Sequence, residues 1–499
     1  MAWLNISAGG VQQTTAIDGL SISLGAPIRM WQRSEIWNTR ELMFNASLSD
    51  RSTRSQTPVQ ALPMLLSAAL LVVWPMPGTI AARYIIAVLL LASVLAARPN
   101  YSVVSRLTRN RAAFLPWLLL SLWIVVQIIF LAWDPRTSWH ESAQWWRSSL
   151  FFLTGMLAAT IPLSGKGRDR WLSVLLSSGF VYLLGYFLLK PWHAPDKTLD
   201  ILFMLSGVFG SRDLASHVGC YLVAILIGVS LSRLAGRTLL AYLNDKVVIA
   251  LLTVAIAATV LTLTRNALIV LLVLCGLGSI AYGRLRVQGR PAHWIGILLL
   301  CATVLGAALA TSLLTDKRWA HFGESVSAGW QTERYTGWLE RHSVGLPKLS
   351  DGSEADESAY LRTAWAKEMV RELALHPLGV GYNRNAFRTA LRARFGNRTE
   401  VAHGHAGFLD FGIGTGLPGL ALIIAFFVGL QATGLRQWRT QRDAVSLILF
   451  LMVTGFVVRS VVDSVLRDHM LEEFMFIVGL LLGLQRNDND DPAVDQAKA

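Results

Sequence analysis

Residues 112–133 read AAFLPWLLLSLWIVVQIIFLAW, a run of 22 positions without a charged side chain. As a helix it would rise about 33 Å, enough to cross a hydrocarbon core of about 30 Å. That core offers no water to backbone N–H and C=O groups, so a spanning run must close its own hydrogen bonds as a helix. The pattern recurs along the chain. We place further spans near residues 61–76, 79–97, 149–163, 171–190, 214–232, 247–263, 267–283, 293–313, 406–431, 443–462 and 470–485, about twelve in all. Composition agrees: 53% of the 499 residues are hydrophobic and 15% charged, against about 25% charged in a soluble domain. The expected fold class is an all-α polytopic membrane protein. Cys220, Cys275 and Cys301 lie in or beside apolar runs and suit small buried hydrophobes, not a disulfide framework.

Lysine and arginine in the short connections set the orientation. Every second connection is basic: Arg98, Arg106, Arg109 and Arg111; Lys166, Arg168 and Arg170; Arg233, Arg237 and Lys246; Arg284, Arg286 and Arg290; Arg436, Arg439 and Arg442. These connections and both termini are expected in the cytoplasm. The opposite connections include 133–147 (WDPRTSWHESAQWWR), rich in interfacial Trp, and one long loop between spans 9 and 10. The expected organisation is an N-terminal extension (1–58), nine spans (59–313), a periplasmic helical loop (314–405), three spans (406–485) and a short tail (486–499). Within the extension, Ile28 to Phe44 mixes Trp with Arg and reads either as an interfacial helix or as disorder.

The net charge is +13, and only eight of the 45 basic residues are lysines. Arginines on the loop side work against the positive-inside tendency, so each needs a reason. Arg265 lies in LTLTRNALI (261–269), between two apolar runs with almost no connection to hold it. Such an Arg snorkels, pairs, or binds an anion, and its planar guanidinium suits phosphate oxygens. Arg212, in SGVFGSRDLASH (206–217), reads as a second phosphate ligand or as a partner of Asp213. Arg459 and Arg467 flank the last turn on this side among Asp463, Asp468, Glu472 and Glu473, which fits structural pairing. No HExxH, CxxC pair or Asp-rich motif occurs, so neither a metal nor another cofactor is expected. No nucleic-acid partner is expected either.

Two helices are legible in the loop. One is expected along the membrane surface over about 318–342, with Trp319, Phe322, Trp330 and Trp338 among charges. The other runs from about Ser358 to Leu375 behind an N-cap at Asp356 or Ser358, and its Leu361, Trp365, Met369 and Leu373 make a packing stripe. Pro377 ends it, and Gly379 and Gly381 begin a turn. His403 and His405 follow, where the loop meets the next span. At i and i+2 they do not share a helical face; a neutral imidazole there reads as a general base or as one of a pair of interfacial histidines.

RTAWAKEMVRELALHPLGVGYNRNAF (362–387) and HGHAGFLDFGIGTGLPGL (403–420) together are similar to the paired loop motifs of the O-antigen ligase and polymerase superfamily. Thr264-Arg265-Asn266 and GVFGSRD (207–213) resemble two further motifs of that family, and with the span layout the resemblance covers about residues 60–485. It implies metal-independent, inverting transfer of a glycan from undecaprenyl pyrophosphate at the periplasmic face of the inner membrane. For a ligase the acceptor is a sugar hydroxyl of lipid A–core. The resemblance makes His405 the essential histidine and gives pyrophosphate-binding roles to Arg212 and Arg265. Arg362, His376, His403 and Arg459 are candidate substrate-binding residues. Two positions depart from the pattern: Ala406 stands where the family has Asn after the histidine, and Asp213 where it has Asn after the arginine. The expected partners are the lipid-linked donor, the lipid A–core acceptor and membrane lipids. A polymerase or a protein-glycosylating relative would share the donor. A transporter for lipid-linked sugars would instead need charges deep along a path through the spans.

Overall fold

The computed structural model describes residues 58–97, 107–161, 167–189, 210–284, 306, 310, 321–467 and 469–486. The N-terminal extension with its Ile28–Phe44 segment, nearly all of the span at 293–313 and the tail beyond Arg486 lie outside the described residues. Among the described residues the regular elements are helical, with one isolated bridge between Lys348 and Glu354.

The first eight helices are α1 (Pro58–Val73), α2 (Ile80–Ala96), α3 (Arg111–Phe130), α4 (Pro135–Ala158), α5 (Gly167–Leu189), α6 (Arg212–Leu234), α7 (Asp245–Leu261) and α8 (Arg265–Arg284). Six described helices are long and apolar enough to cross a membrane: α3, α5, α6, α8 and, after the loop, α13 (Gly407–Gln441) and α14 (Ala444–Val462). The chain is a multi-pass membrane protein. Of the other expected spans, those at 61–76, 79–97, 247–263 and 470–485 are the shorter helices α1, α2, α7 and α15 (His469–Leu484), and 149–163 is the second half of α4.

The Trp-rich stretch 133–147 is not a connection. Asp134 accepts a hydrogen bond from the Thr137 N–H at 3.1 Å, Pro135 occupies the first helical position, and α4 runs unbroken from there to Ala158. Helix α6 is the buried centre, packed by α5, α7, α8 and α14. Helices α4 and α15 meet backbone to backbone. A Cβ at Gly155 would collide with the Phe476 carbonyl and one at Gly479 with the Phe152 carbonyl, so only glycine permits this approach.

Helix α13 is broken at Gly416, whose φ of 73° is left-handed. A break inside a span exposes carbonyls that lipid cannot satisfy, and the fold answers each. Gln127 Nε2 donates to the Gly414 carbonyl at 2.6 Å and Trp123 Nε1 to that of Thr415 at 2.7 Å. The turn at 377–381 lies in the gap: Val380 N–H donates to Ile413 O, Gly381 N–H to Gly414 O, and Leu417 N–H to Pro377 O. Gly379, at φ 82°, leaves no room for a side chain against Gly416 and Gln127.

The loop contributes α9 (Phe322–Trp330), α10 (Arg341–Val344), α11 (Glu357–Leu375) and α12 (Ala386–Phe395), around a core that includes Trp338, Tyr360, Met369 and Phe387. The single surface helix expected over 318–342 is instead α9, a 3-10 turn at Thr336–Trp338, and α10. The chain folds back because Trp338 is buried: its indole N–H donates to Thr332 O at 3.1 Å, and its backbone N–H to the Tyr360 hydroxyl at 3.1 Å. Helix α11 starts as expected, with Asp356 accepting from Ala359 N–H at 2.9 Å. Arg394 of α12 donates to the buried Glu368 and Glu372 of α11 at 2.9 and 2.8 Å. Removing one partner of such a group strands buried charge, so Arg394→Ala should cost about 3 kcal/mol or more. The expected sign is faster proteolysis within 321–400 in otherwise monodisperse protein. Unchanged protection would show that the two carboxylates need no counter-charge.

Candidate functional site

The Thr264–Asn266 turn sits against the first half of α11. Arg265 Nη1 is 3.6 Å from Asp356 Oδ1, and Arg362 Nη1 donates to Asn266 Oδ1 at 3.0 Å and to Val462 O at 3.4 Å. One arginine from each side thus crosses the contact, and the α11 N-terminus is fixed over the end of the bundle. Thr264 and Asn266 are buried, while Arg265 keeps a fifth of its side-chain surface exposed.

Across this contact lies the segment 401–406. His405 adopts a left-handed backbone, φ 54°, which turns the chain into α13. Its ring stacks on Trp365 of α11 at 5.7 Å and 20°, and the His403 ring lies 4.2 Å away. Asp410, one turn into α13, holds the segment from behind, accepting from Gly404 N–H at 3.0 Å and from the Ser464 hydroxyl. A cavity of about 210 Å³ opens beside the rings, lined by Trp365, His403, His405, Arg341, Glu357 and Glu400 among others.

Burial and then the Arg362 charge lower the His405 pKa, against the pull of Asp463 and Asp213. Burial, with Arg467, His405 and Arg388, pushes His403 down to about 3. Both imidazoles are neutral at pH 7, so each can accept a proton, His403 only weakly. The sign of the stability effect follows. A histidine whose pKa is depressed by folding stays neutral while its unfolded counterpart protonates below about pH 6.5, so stability is lost as pH falls from about 6.5 toward 3. Replacing His403 by Gln should flatten that part of the thermal-midpoint profile of detergent-purified protein. An unaltered profile would place the acid sensitivity elsewhere.

Arg459 is almost fully buried and donates to Ser216 Oγ at 2.9 Å, Asp213 O at 2.8 Å and Asp463 Oδ2 at 3.3 Å. It fastens the start of α6 to the end of α14, where Gly407 N–H donates to Asp463 O. Arg212, the first residue of α6, is exposed and makes no hydrogen bond or ion pair among the described residues; Asp213 is not its partner. The structure therefore gathers Arg212, Arg265, Arg362, His403, His405 and Arg459 at one end of the bundle. It does not bring His376 there. His376 caps the far end of α11, about 16 Å along the helix from Trp365, beside Glu372 at 3.6 Å and edge-on to Trp133 at 4.8 Å.

Sequence reading gave Trp365 to the packing stripe, whereas it also supports His405. It assigned no role to Asn266, Asp410 or Ser464. Asp410 stood in a quoted motif, but its partners are set by the tertiary fold.

These cationic and imidazole side chains thus lie together at one end of a multi-pass helical bundle. Residues 248–424 match the family model described as O-antigen ligase, from within α7 to the middle of α13. This stretch of 177 among 499 residues is an O-antigen ligase domain, and it supports membership of the O-antigen ligase superfamily of membrane glycosyltransferase-like proteins. The match includes Arg265, Arg362, His403 and His405 but neither Arg212 nor Arg459. The comparison with curated proteins returns no match.

Proposed function

We propose that this chain is an O-antigen ligase, a metal-independent inverting glycosyltransferase that moves O-antigen from undecaprenyl pyrophosphate to a sugar hydroxyl of lipid A–core. The observation that supports this most is the meeting of Arg265 and Arg362 across one contact with His405 stacked beside it. Arg265 and Arg212 hold the pyrophosphate and stabilise the charge that develops as the bond between anomeric carbon and phosphate oxygen breaks. The bonding pair leaves with the pyrophosphate. The acceptor hydroxyl approaches from the cavity beside His405, its oxygen bonds the anomeric carbon from the opposite face, and its proton passes to the neutral imidazole. Burial, and then the Arg362 charge, keep that imidazole neutral, and Arg362 fixes α11 against the Asn266 turn. His403 backs the ring, and Arg459 positions α6 and α14. The site faces the periplasm of the inner membrane, with both termini cytoplasmic.

The test is complementation. In a ligase-deficient Gram-negative strain that makes matching lipid-linked O-antigen and lipid A–core, expression should restore the high-molecular-weight lipopolysaccharide ladder. Longer lipid-linked glycan without a ladder would make the chain a polymerase of the same superfamily instead.

A further inference from the structure

At the end of the bundle opposite the histidines, a cavity of about 440 Å³ lies between the start of α3 and the end of α13. Helix α3 runs from Arg111 to Phe130, and Trp133 just beyond donates to Val380 O in the loop-side turn. The 20 residues of α3 put the cavity about 30 Å from that turn, at the other membrane face. Its walls carry Arg109, Arg111 and Arg436, with Thr440 and Gln441, and no carboxylate among the described lining residues.

The floor is built. Asn110 and Gln437 are at least nine-tenths buried. Gln437 Nε2 reaches Asn110 Oδ1 at 3.5 Å, Asn110 Nδ2 reaches Gln485 Oε1 at 3.5 Å, and Ser446 Oγ donates to Gln437 Oε1 at 3.0 Å. Arg109 Nη1 donates to the Arg486 carbonyl at 3.0 Å. An amide network thus ties the ends of α3, α13, α14 and α15 beneath an arginine rim. Arg439 and Arg442, exposed on the same helix end, do not line the cavity. Positive-inside topology accounts for basic residues at this face, but not for three of them around an inter-helix cavity with a fixed polar floor.

We infer that this cavity binds the phosphodiester headgroup of an anionic phospholipid, with Arg111 and Arg436 gripping it from two helices. Guanidinium groups pair with phosphate oxygens, and the level of the cavity is that of a headgroup whose acyl chains lie along α3 and α13. The inference is independent of the reaction proposed for the opposite face.

The probe is full-length protein in detergent, titrated with phosphatidylglycerol or cardiolipin, with phosphatidylethanolamine, and with inorganic phosphate, read by thermal midpoint and native mass spectrometry. The anionic lipids should bind and raise the midpoint, and phosphatidylethanolamine and free phosphate should not. At about 1 kcal/mol per arginine, Arg111→Gln with Arg436→Gln should weaken apparent affinity about 30-fold. The matching lysine pair should retain part of it, which separates charge loss from misfolding. Arg439→Gln with Arg442→Gln should change affinity less than twofold. Equal losses in the two glutamine pairs would mean diffuse surface charge and overturn the site. Equal stabilisation by inorganic phosphate would overturn the lipid assignment.

Discussion

Glycan transfer by the His405→Asn protein is expected to fall about 10²- to 10⁴-fold, the range lost when a positioned general base is removed. Asparagine is the informative substitution because position 405 is left-handed, a conformation Asn tolerates better than other non-glycine residues. His405→Ala adds backbone strain of about 1 kcal/mol or more to the chemical loss. If both variants lose the ladder while Asn keeps the wild-type thermal midpoint, the defect is chemical. A ladder retained in both would remove His405 from proton transfer. His403 would then be a poor substitute, since burial and Arg467 hold it near pKa 3 as a weak base.

Arg265→Ala is expected to lower transfer about 10²- to 10³-fold, the loss typical of one preorganised group aimed at developing negative charge. Arg265→Lys should recover part of this, because the charge remains while the planar fork does not. The structure raises a competing explanation, since Arg265 also lies 3.6 Å from the Asp356 carboxylate that caps α11. Asp356→Asn separates the two. Asparagine still caps the helix but carries no charge for Arg265 to meet. Transfer near the wild-type rate in Asp356→Asn assigns the Arg265 effect to substrate; an equal loss in both reduces Arg265 to a strut.

Six of the expected spans were legible because a long apolar run has few alternatives in lipid, and Asp356 was legible because capping is local. Arg265 and His405 stood out as polar groups beside spans. The start of α4 carried an equally local signal in Asp134-Pro135, obscured by the Trp and charge content that marks an interface. Other features had no local signal. Asn266 acquires its role from Arg362, 96 positions on, and Asp410 from Ser464, 54 positions on. The broken surface helix follows from Trp338 finding Thr332 and Tyr360, a tertiary preference that overrides amphipathic patterning. His376 shows the converse: a residue inside a legible motif whose place on α11 takes it away from the imidazole pair.

The turn at 377–381, lodged in the break of α13, bears on how the protein is made. Its hydrogen-bond partners, Ile413 to Leu417, leave the ribosome after it, and its other neighbours, Gln127 and Trp133, have long since entered the membrane. The loop therefore cannot finish folding when its own synthesis ends; it must wait for α13 to insert and supply the missing carbonyls and amides. Assembly of this face of the protein is consequently a late event in biogenesis. A soluble fragment covering 321–405, cut away from α3 and α13, would lack the atoms that complete its fold.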